Sequence, residues 1–519
     1  MRDETNVQSQ HEPQGWPLVL FTIGVFMAGL DNGIIGTALT TINESFGVSP
    51  SWGAWTITLY TLGIAISVPI VGKLSDRYGR RRMFLAEITL FGIGSLLVAF
   101  SPNFTMLLIA RFIQAIGGGG IFIIGSSHIL ATMPKEKQGK ALGLLGSMHG
   151  VSAIVGPNLG AIILQLTGSW QWMFLINIPI VLFLMVFGVI KIKESETAVA
   201  KPLDFTGTML LTISILSFML GATQLEGKSF SAILTDARIL VLFANAIFIF
   251  TLLLFYERKL ERDGGDPILS VSLMSGRTFQ LTLLLSVLSG GFLAGIIFIP
   301  SYVQQVLLVP VEKAGFWLTP FAFMSGVGAG IGGMLTDRIG AAKTVIISGL
   351  IAAVGFSLFP FWVDSGGKFL IASVTAGIGF GFLLGAPLNV LAGQSAPKNA
   401  KGSALGLLSL SRQLGLTIFP AIFATLIATG MLNVPTQMNA VYGDEAIEVG
   451  NISGTTQEQY QAVIDQVETF EAGTKDTMFH TISQILKVGY DQVFYLSSLL
   501  ALLVILGGLF LLKKSTSRR

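Results

Sequence analysis

Apolar residues in this chain fall into long continuous runs, and polar residues are confined to short stretches between the runs. A helix needs about 20 mainly apolar residues to cross about 30 Å of membrane hydrocarbon. Fourteen runs have this length, and each predicts one membrane-spanning helix. Their approximate bounds are 16–42, 52–73, 83–101, 104–130, 141–166, 172–190, 205–225, 238–256, 278–301, 314–336, 343–363, 369–395, 403–430 and 491–512. The pattern predicts an all-α integral membrane protein with fourteen transmembrane helices.

The basic residues between these runs are divided unevenly between the two sides of the membrane. With the N-terminus inside, few basic residues fall in outer loops: Lys228, Arg238, Lys313, Lys368, Lys475 and Lys487. Arg111 and Arg412 lie within predicted helices, and the rest of the 32 lysines and arginines fall on the inner side. Such an excess of basic residues marks the cytoplasmic side. We therefore predict a multi-pass protein of the plasma (cell) membrane with cytoplasmic N- and C-termini.

Composition supports a membrane protein and excludes several kinds of site. The 519 residues are 52% hydrophobic and 12% charged, and the mean hydropathy is +0.72, whereas a soluble domain carries about 25% charged residues. The absence of cysteine excludes disulfides and thiolate metal sites. The sequence has no HExxH, Gly-x-Ser-x-Gly or P-loop motif, so we expect neither an enzyme nor an ATP-driven pump. A receptor is disfavoured because no sizeable inner domain is predicted.

Two stretches of the sequence recur with nearly the same spacing. GKLSDRYG at residues 72–79 recurs as GMLTDRIG at 333–340, and ALGLLGSMHGVSAIVGP at 141–157 recurs as ALGLLSLSRQLGLTIFP at 404–420. The offsets are 261 and 263 residues, which indicates an internal repeat. Because the copies start eight helices apart, both have the same orientation in the membrane.

The repeat divides the chain into two six-helix bundles with two helices inserted between them. The predicted parts are an N-terminal tail at 1–15, a first bundle at 16–190, a linker with the two inserted helices at 191–277, a second bundle at 278–512 and a tail at 513–519. The second bundle includes a polar outer segment at 431–490. Within it, five residues have the spacing of an amphipathic helix: Tyr460, Val463, Ile464, Val467 and Phe470. This segment is either a cap over part of the outer mouth or a passive linker.

The repeated charged phrase predicts a gate at the inner end of each bundle. Its members are Gly72, Asp76, Arg77, Gly79 and Arg80 in the first copy and Asp337, Arg338 and Gly340 in the second. Glycines allow close helix contact, and the aspartates can accept hydrogen bonds from helix N-termini and from arginines. Such contacts would hold the inner mouth shut. The alternative is that the arginines only anchor the loops on the anionic leaflet.

Several motifs resemble those of a known family. GKLSDRYGRRR, from Gly72, resembles the signature loop between helices 2 and 3 of the major facilitator superfamily. RFIQAIGGGG, from Arg111, is similar to its helix 4 motif, and GVSAIVGPNLGA, from Gly150, is similar to the helix 5 motif of its antiporters. Ala115 and Ala161 stand where glycine is usual in these two motifs. LDNGIIGTALTTI and WQWMFLINIPI, at the first and sixth predicted helices, resemble motifs of the fourteen-helix drug:proton antiporter branch.

The resemblance implies a function as well as the major facilitator fold. It implies a secondary active transporter that exports hydrophobic, drug-like or toxic small molecules in exchange for protons by alternating access, as in multidrug efflux and antibiotic resistance. The energy source would be the proton gradient, with no cofactor and no metal. The expected partners are small hydrophobic or amphipathic substrates, protons and membrane lipids, without nucleic acid, and the chain is expected to be a monomer. The alternative is a lipid or metabolite carrier on the same scaffold.

Asp31 is the leading candidate for the proton-coupling group. It lies near mid-depth in the first predicted helix, and ionisable residues inside a membrane are costly and usually functional. Arg111, in the fourth predicted helix, lies at a similar depth and is permanently charged, so we predict that it tunes the proton affinity of Asp31. The resemblance implies the same role. The alternatives are a structural hydrogen bond for Asp31 and an arginine that reaches the outer surface.

Further candidates concern conformational change and substrate contact. The antiporter motif in the fifth helix combines a kink with close-packing positions: Gly150, Gly156, Pro157 and Gly160. The resemblance implies a bendable, leak-tight helix at the interface between the halves, and the alternative is generic packing. The candidate substrate-binding residues are Asn32, Gln114 and Arg412. Glu87 is expected to pair with the arginines at 80–82, and His128 and His149 are expected to be packing residues.

Overall fold

The computed structural model describes residues 15–194, 202–225, 234–442 and 456–516. Within these ranges fourteen helices are long and apolar enough to cross a membrane, as predicted. They are α1 (Gly15–Phe46), α2 (Trp55–Tyr78), α3 (Arg80–Ala99), α4 (Phe104–Thr132), α5 (Lys135–Thr167), α6 (Trp172–Lys191), α7 (Phe205–Thr223), α8 (Ala237–Arg262), α9 (Arg277–Gln305), α10 (Gly315–Ile339), α11 (Ala341–Trp362), α12 (Gly366–Ser395), α13 (Lys401–Tyr442) and α14 (Gly473–Lys514). The described ranges contain no strand, so the all-α class is confirmed.

Two sets of six helices pack in the same pattern, as the sequence repeat predicts. In the first set α1 packs against α5, α2 packs against α4, and α3 packs against both α4 and α6. In the second set the matching pairs are α9 with α13, α10 with α12, and α11 with both α12 and α14. The prediction of two six-helix pseudo-repeats is therefore confirmed.

The inserted helices α7 and α8 pack against each other, and α7 also contacts α2 and α13. Ser214 Oγ donates a hydrogen bond to the carbonyl oxygen of Ala246 at 2.9 Å, and Asn245 Nδ2 donates to Ser217 Oγ at 2.7 Å. Polar groups in a membrane-spanning helix need such partners, because lipid offers none. The inserted pair thus satisfies these polar groups across its own interface and lies beside the two sets.

The two sets meet at the end of the bundle where α2 and α10 finish. The charge distribution predicts that this end faces the cytoplasm, and it is hereafter the inner end. There α5 packs against α10 and α12, α2 packs against α13, and the last part of α4 also contacts α13. The principal described contacts of α1 and α9 stay within their own sets.

The outer segment predicted at 431–490 is largely helical where it is described. α14 forms part of one continuous helix from Ala472 to Thr516, and it does not begin near residue 491 as predicted. The added turns carry buried apolar residues at helical spacing: Met478, Ile482, Ile485, Leu486 and Tyr490. Polar residues between them lower the local hydropathy, which is why the apolar-run criterion missed these turns.

The predicted amphipathic helix of the outer segment is present at Thr456–Val467. Its buried residues are Tyr460, Val463 and Val467, and Phe470 lies beyond its end. The outer part of α14 is joined to α9 by a hydrogen bond of 2.8 Å from the Tyr490 hydroxyl to Gln305 Oε1. The segment is therefore packed onto the second set, and the cap over the outer mouth stays a prediction.

Candidate functional site

Asp31 and Arg111 form an ion pair inside the first set. Arg111 Nη1 donates a hydrogen bond to Asp31 Oδ2 at 2.5 Å, and the two side chains are 0% and 1% exposed. Asp31 lies on α1 and Arg111 on α4. A buried ion pair persists only when good geometry and further hydrogen bonds offset the loss of hydration. The structure thus brings together the two residues that the sequence singled out.

Amide side chains hold the other carboxylate oxygen of Asp31. Gln114 Nε2 donates to Asp31 Oδ1 and to Ser95 Oγ, each at 2.8 Å, and Asn177 Nδ2 donates to Asp31 Oδ1 at 3.3 Å. Gln114 Oε1 accepts a hydrogen bond of 2.7 Å from Arg111 Nη1. The Arg-x-x-Gln spacing places both side chains on one face of α4, toward α1. Gln114, predicted to contact substrate, is fully buried in this network.

Aromatic rings cover the Arg111 guanidinium. Its central carbon lies 4.1 Å from the ring centroid of Tyr60 on α2 and 5.6 Å from that of Phe174 on α6, within cation–π range. Arg111 Nε and Nη2 have no hydrogen-bond partner among the described residues. Arg111 therefore binds Asp31 through one nitrogen and not as a two-pronged fork. Sequence reasoning missed Tyr60, Phe174 and Asn177 in this cluster, because nothing in their local pattern points to Asp31.

Asp76, at the inner end of α2, accepts three hydrogen bonds from the start of α13. The main-chain nitrogens of Gly402 and Ser403 donate at 2.9 and 2.8 Å, and Ser403 Oγ donates at 3.1 Å. The first N–H groups of a helix have no partner within that helix, and its dipole favours a carboxylate there. Arg80 Nη2 lies 3.6 Å from Asp76 Oδ1. Asp76 thus links the first set to the second.

Asp337 makes the equivalent contact in the opposite direction. The main-chain nitrogens of Gly139 and Lys140, in the first turns of α5, donate to its two carboxylate oxygens at 2.6 and 2.8 Å. In the sequence repeat, Gly139 corresponds to Gly402. Each set therefore supplies one aspartate and one helix start to the other set. These reciprocal contacts have the geometry of the predicted gate in its closed form.

Glycines allow the helices of the two sets to touch along a seam at the inner end. A Cβ atom on Gly72 would overlap the carbonyl oxygen of Gly402, and one on Gly333 would overlap the carbonyl oxygen of Gly139. The seam runs along α5 to Gly150, where a Cβ atom would lie 2.6 Å from the main-chain nitrogen of Gly326 on α10.

Beyond Gly150, the residues of the antiporter motif pack against α1 of their own set. A Cβ atom on Gly156 would lie 2.8 Å from the Cα atom of Gly33 on α1, one on Gly160 would overlap Thr37 Oγ1, and Pro157 lies against Gly33. Only the start of the motif therefore lies between the halves in the described part of the chain, and the rest supports the helix that carries Asp31. The seam is therefore closed from the inner end to mid-depth.

The glycines that end the two charged phrases have backbone angles that side chains disfavour. Gly79 has φ 96° and Gly340 has φ 91°, in the region that glycine occupies almost exclusively. Arg80 follows at once, is buried, and donates from Nε to Ser127 Oγ at 3.1 Å. Arg80 is therefore packed inside the protein, so anchoring on lipid does not describe it. Arg338 is exposed.

Arg77 and Glu87 make contacts that the sequence did not indicate. The Arg77 guanidinium lies 5.1 Å from the ring centroid of Tyr78. Glu87 was predicted to pair with the arginines at 80–82, and this is wrong. Its buried carboxylate accepts a hydrogen bond of 3.0 Å from the main-chain nitrogen of Gly120, where α4 is interrupted. Burial of Glu87 one turn deeper than the arginines explains the difference.

The remaining substrate candidates differ in exposure. Asn32, next to Asp31, is exposed, and Arg412 on α13 is partly exposed. Arg412 Nε and Nη2 are nevertheless buried without a hydrogen-bond partner among the described residues. Two nitrogens of the Arg412 guanidinium are therefore left without a hydrogen bond in the described structure.

Similarities to known proteins agree with this architecture. Residues 21–420 match the family model described as Major Facilitator Superfamily. The chain is 53% identical over 503 residues to the uncharacterized MFS-type transporter YfiU of Bacillus subtilis (strain 168), with 96% of each covered. It is 31% identical over 486 residues to Multidrug resistance protein 3 of the same strain, with 92% and 90% covered. The solved structure of the proton:xylose symporter XylE has a similar fold, with a TM-score of 0.57, 16% identity, and 91% and 94% covered.

Proposed function

This chain belongs to the major facilitator superfamily, and from that premise we propose that it exports hydrophobic small molecules in exchange for protons. It is a multi-pass membrane protein and a transporter of small-molecule substrates. The family and the fold neighbours are transporters and not enzymes. The proposal adds the direction, the coupling ion and the substrate class.

The observation that carries the proposal is the Asp31–Arg111 ion pair. The pair is buried inside membrane-spanning helices, where an ionised carboxyl group is tolerated because it is paired. A protonated Asp31 would lose its charge but could keep the hydrogen bond from Gln114. The cluster can therefore hold Asp31 in either protonation state. A movement of α1 relative to α4 would change which of the two states is favoured.

The reciprocal aspartate contacts support alternating access. Asp76 and Asp337 accept hydrogen bonds between the sets at the inner end, and we propose that these contacts hold that end closed. Opening the inner end would require breaking these hydrogen bonds and separating the glycine seam. We propose that proton release from Asp31 to the inside and substrate entry from the inside accompany that opening. The proton gradient would then drive export without a cofactor.

The substrate class rests on similarity and remains part of the proposal. Multidrug resistance protein 3 is similar over most of its length, which favours drug-like or toxic compounds. A lipid or metabolite carrier on the same scaffold is the second candidate. We further propose a plasma-membrane location with cytoplasmic termini and a monomeric state.

The test is transport of a lipophilic dye by purified protein in liposomes under an imposed pH gradient. Asp31→Asn keeps the shape and hydrogen bonding of the side chain but removes its titration. We expect this variant to lose gradient-driven dye movement while dye binding changes by less than about tenfold, or about 1.4 kcal/mol. The matched control is Glu87→Gln, a second buried carboxyl variant, whose amide oxygen can still accept from Gly120.

The outcomes separate the alternatives. Full gradient-driven transport by Asp31→Asn would remove Asp31 from the mechanism, and equal losses in both variants would indicate a structural effect. Movement of a fluorescent phospholipid instead of the dye by the wild-type protein would favour the lipid carrier. Dye movement that ignores the pH gradient would exclude proton coupling.

A further inference from the structure

Arg412 has buried guanidinium nitrogens and no counter-ion in the part of the chain that the structure describes. It lies eleven residues into α13, which begins at Lys401, and its Nε and Nη2 atoms have no hydrogen-bond partner there. No ion pair of Arg412 occurs among the described residues. Leaving a buried charge unpaired is expensive, so an intramembrane arginine of this kind indicates a functional partner.

His149 occupies the corresponding position in the other copy of the repeat. The offset of 263 that relates ALGLL at 141 to ALGLL at 404 also relates His149 to Arg412. Arg412 also follows the seam between the sets, because a Cβ atom on Gly406, six residues earlier in α13, would lie 3.0 Å from the Cα atom of Pro69 on α2. The pseudo-symmetry of the two sets therefore places nitrogen-bearing side chains from α5 and α13 on either side of the central axis.

The position of His149 shows which space these groups face. His149 directly precedes Gly150, where the seam between the sets ends, and it is exposed. The imidazole packs edge-on against the ring of Phe122 on α4 of its own set, with the ring centroids 5.2 Å apart. Arg412 belongs to the other set. Because α5 touches α10 at the adjacent Gly150 and α4 at His149 itself, the exposed surface of His149 faces the space between the sets and not lipid.

The acidic residues nearest to mid-depth do not neutralise this space. Asp31 is bound to Arg111, Gln114 and Asn177, and the Glu87 carboxylate accepts from Gly120. Both are at most 4% exposed. In the part of the chain that the structure describes, neither carboxylate is therefore available to balance the charge of Arg412.

We propose that Arg412, with His149 at the equivalent position of the other set, binds the anionic or strongly hydrogen-bond-accepting head of an amphipathic substrate. Phe122 adds an aromatic surface next to His149, which suits a ligand with a flat apolar body. A guanidinium matches a carboxylate or sulfonate group through charge-assisted hydrogen bonds. This inference rests on the proposed export function and names its substrate class as organic anions or acceptor-rich neutral compounds, in preference to lipophilic cations.

The test uses two fluorescent probes with the same ring system. Anilinonaphthalene sulfonate is an anion, and phenylnaphthylamine is its neutral counterpart. Each is titrated against wild-type protein in lipid nanodiscs without a pH gradient, with empty nanodiscs as the blank. We expect the wild type to bind the sulfonate about tenfold more tightly than the neutral probe.

Three variants test whether the preference for the sulfonate probe depends on Arg412. Arg412→Met, which keeps an unbranched apolar stem, should lose about tenfold in sulfonate affinity and leave the neutral probe unchanged. Arg412→Lys should keep part of the preference, because it keeps the charge but not the planar geometry. The control is Lys368→Met, which removes a cation that is paired with exposed Asp364 at the outer end. This variant should bind both probes as the wild type does.

Four results would overturn the proposal. The first two are a wild type that binds neither probe and a wild type that does not prefer the sulfonate. The third is an Arg412→Met variant whose affinity falls for both probes or for neither. The fourth is an equal loss of sulfonate affinity in Lys368→Met. The assay needs no proton coupling, so it can fail while dye export still follows the pH gradient. Conversely, Asp31→Asn should bind the sulfonate normally even if proton coupling is lost.

Discussion

Asp76 and Ser403 lie in opposite halves of the molecule and are joined by a hydrogen bond of 2.8 Å from the main-chain nitrogen of Ser403 to the Asp76 carboxylate. This bond spans 327 positions of the chain. Asp337 accepts the corresponding hydrogen bond from the main-chain nitrogen of Lys140 at 2.8 Å. A closed inner end held by two such contacts can be opened by weakening either of them, which leads to the first prediction.

Asp76→Asn should weaken the closed inner end. An amide has one acceptor oxygen and no charge, so it cannot satisfy both main-chain nitrogens of α13 as the carboxylate does. The probe is a cysteine at Ser75, which is 1% exposed in the seam, in a chain that has no other cysteine. We expect maleimide labelling of this cysteine in purified protein to accelerate in the Asp76→Asn background.

Asp337→Asn should have a smaller effect on the same labelling. Asp337 accepts two hydrogen bonds from the opposite set, whereas Asp76 accepts three and has Arg80 nearby. Asp364→Asn, at the exposed outer end, serves as the control and should label as the parent does. Unchanged labelling in the Asp76→Asn background would contradict the role of this residue in closing the inner end.

Gly333→Ala should prevent the inner end from closing. The added methyl group would overlap the carbonyl oxygen of Gly139 and force α10 away from α5. Overpacking of this kind costs about 1–3 kcal/mol, which shifts the closed–open equilibrium about 5- to 150-fold toward the open state. Gly330→Ala is the matched control on α10, because no atom of the described residues lies within 4 Å of its added Cβ atom. Dye transport in liposomes should fall for Gly333→Ala, and equal transport by both variants would contradict the prediction.

Gly340→Ala should destabilise the protein although the site has free space. Among the described residues no atom lies within 4 Å of the added Cβ atom, but φ is 91°, and a side chain in this region costs about 1–3 kcal/mol. Thermal unfolding in detergent should therefore begin at a lower temperature than in Gly330→Ala, which has no such backbone angle. Equal unfolding temperatures would show that the loop relaxes at little cost.

Arg111→Lys should impair coupling even though it keeps the charge. Arg111 Nη1 donates to both Asp31 and Gln114, and the guanidinium plane lies against Tyr60. A lysine ammonium group lacks the planar surface and is more strongly hydrated. Gradient-driven dye movement should fall. Tyr60→Phe is the control, because it keeps the ring and its hydroxyl has no hydrogen-bond partner among the described residues. Wild-type coupling in Arg111→Lys would show that charge alone suffices.

The predicted orientation can be tested with two exposed serines at opposite ends of the bundle. Ser365 precedes α12 at the outer end, and Ser275 precedes α9 at the inner end. In intact cells an impermeant thiol reagent should label a cysteine at Ser365 and spare one at Ser275. Labelling of the Ser275 variant, with the Ser365 variant spared, would reverse the orientation.

The sequence alone determined the number of helices and the repeat. Each membrane span must be apolar over its own length, because lipid cannot satisfy polar groups, so the signal is local and readable from one segment. For the same reason a lone charge such as Asp31 or Arg111 inside an apolar run is conspicuous. The start of α14 was missed because its outer turns are apolar on one face only, where they pack onto protein and not onto lipid.

Only the tertiary structure decided which groups meet. Asp76 is recognisable as a charge in a repeated phrase, but its partners are main-chain N–H groups, which every residue carries and no sequence pattern marks. Asn177 on α6 donates a hydrogen bond to Asp31, and the Glu87 carboxylate accepts from Gly120 and does not pair with the nearby arginines. The closed inner end is likewise a property of how the two sets pack. The same helices can pack in more than one conformation. Which contacts form between the sets therefore depends on the relative free energies of those conformations.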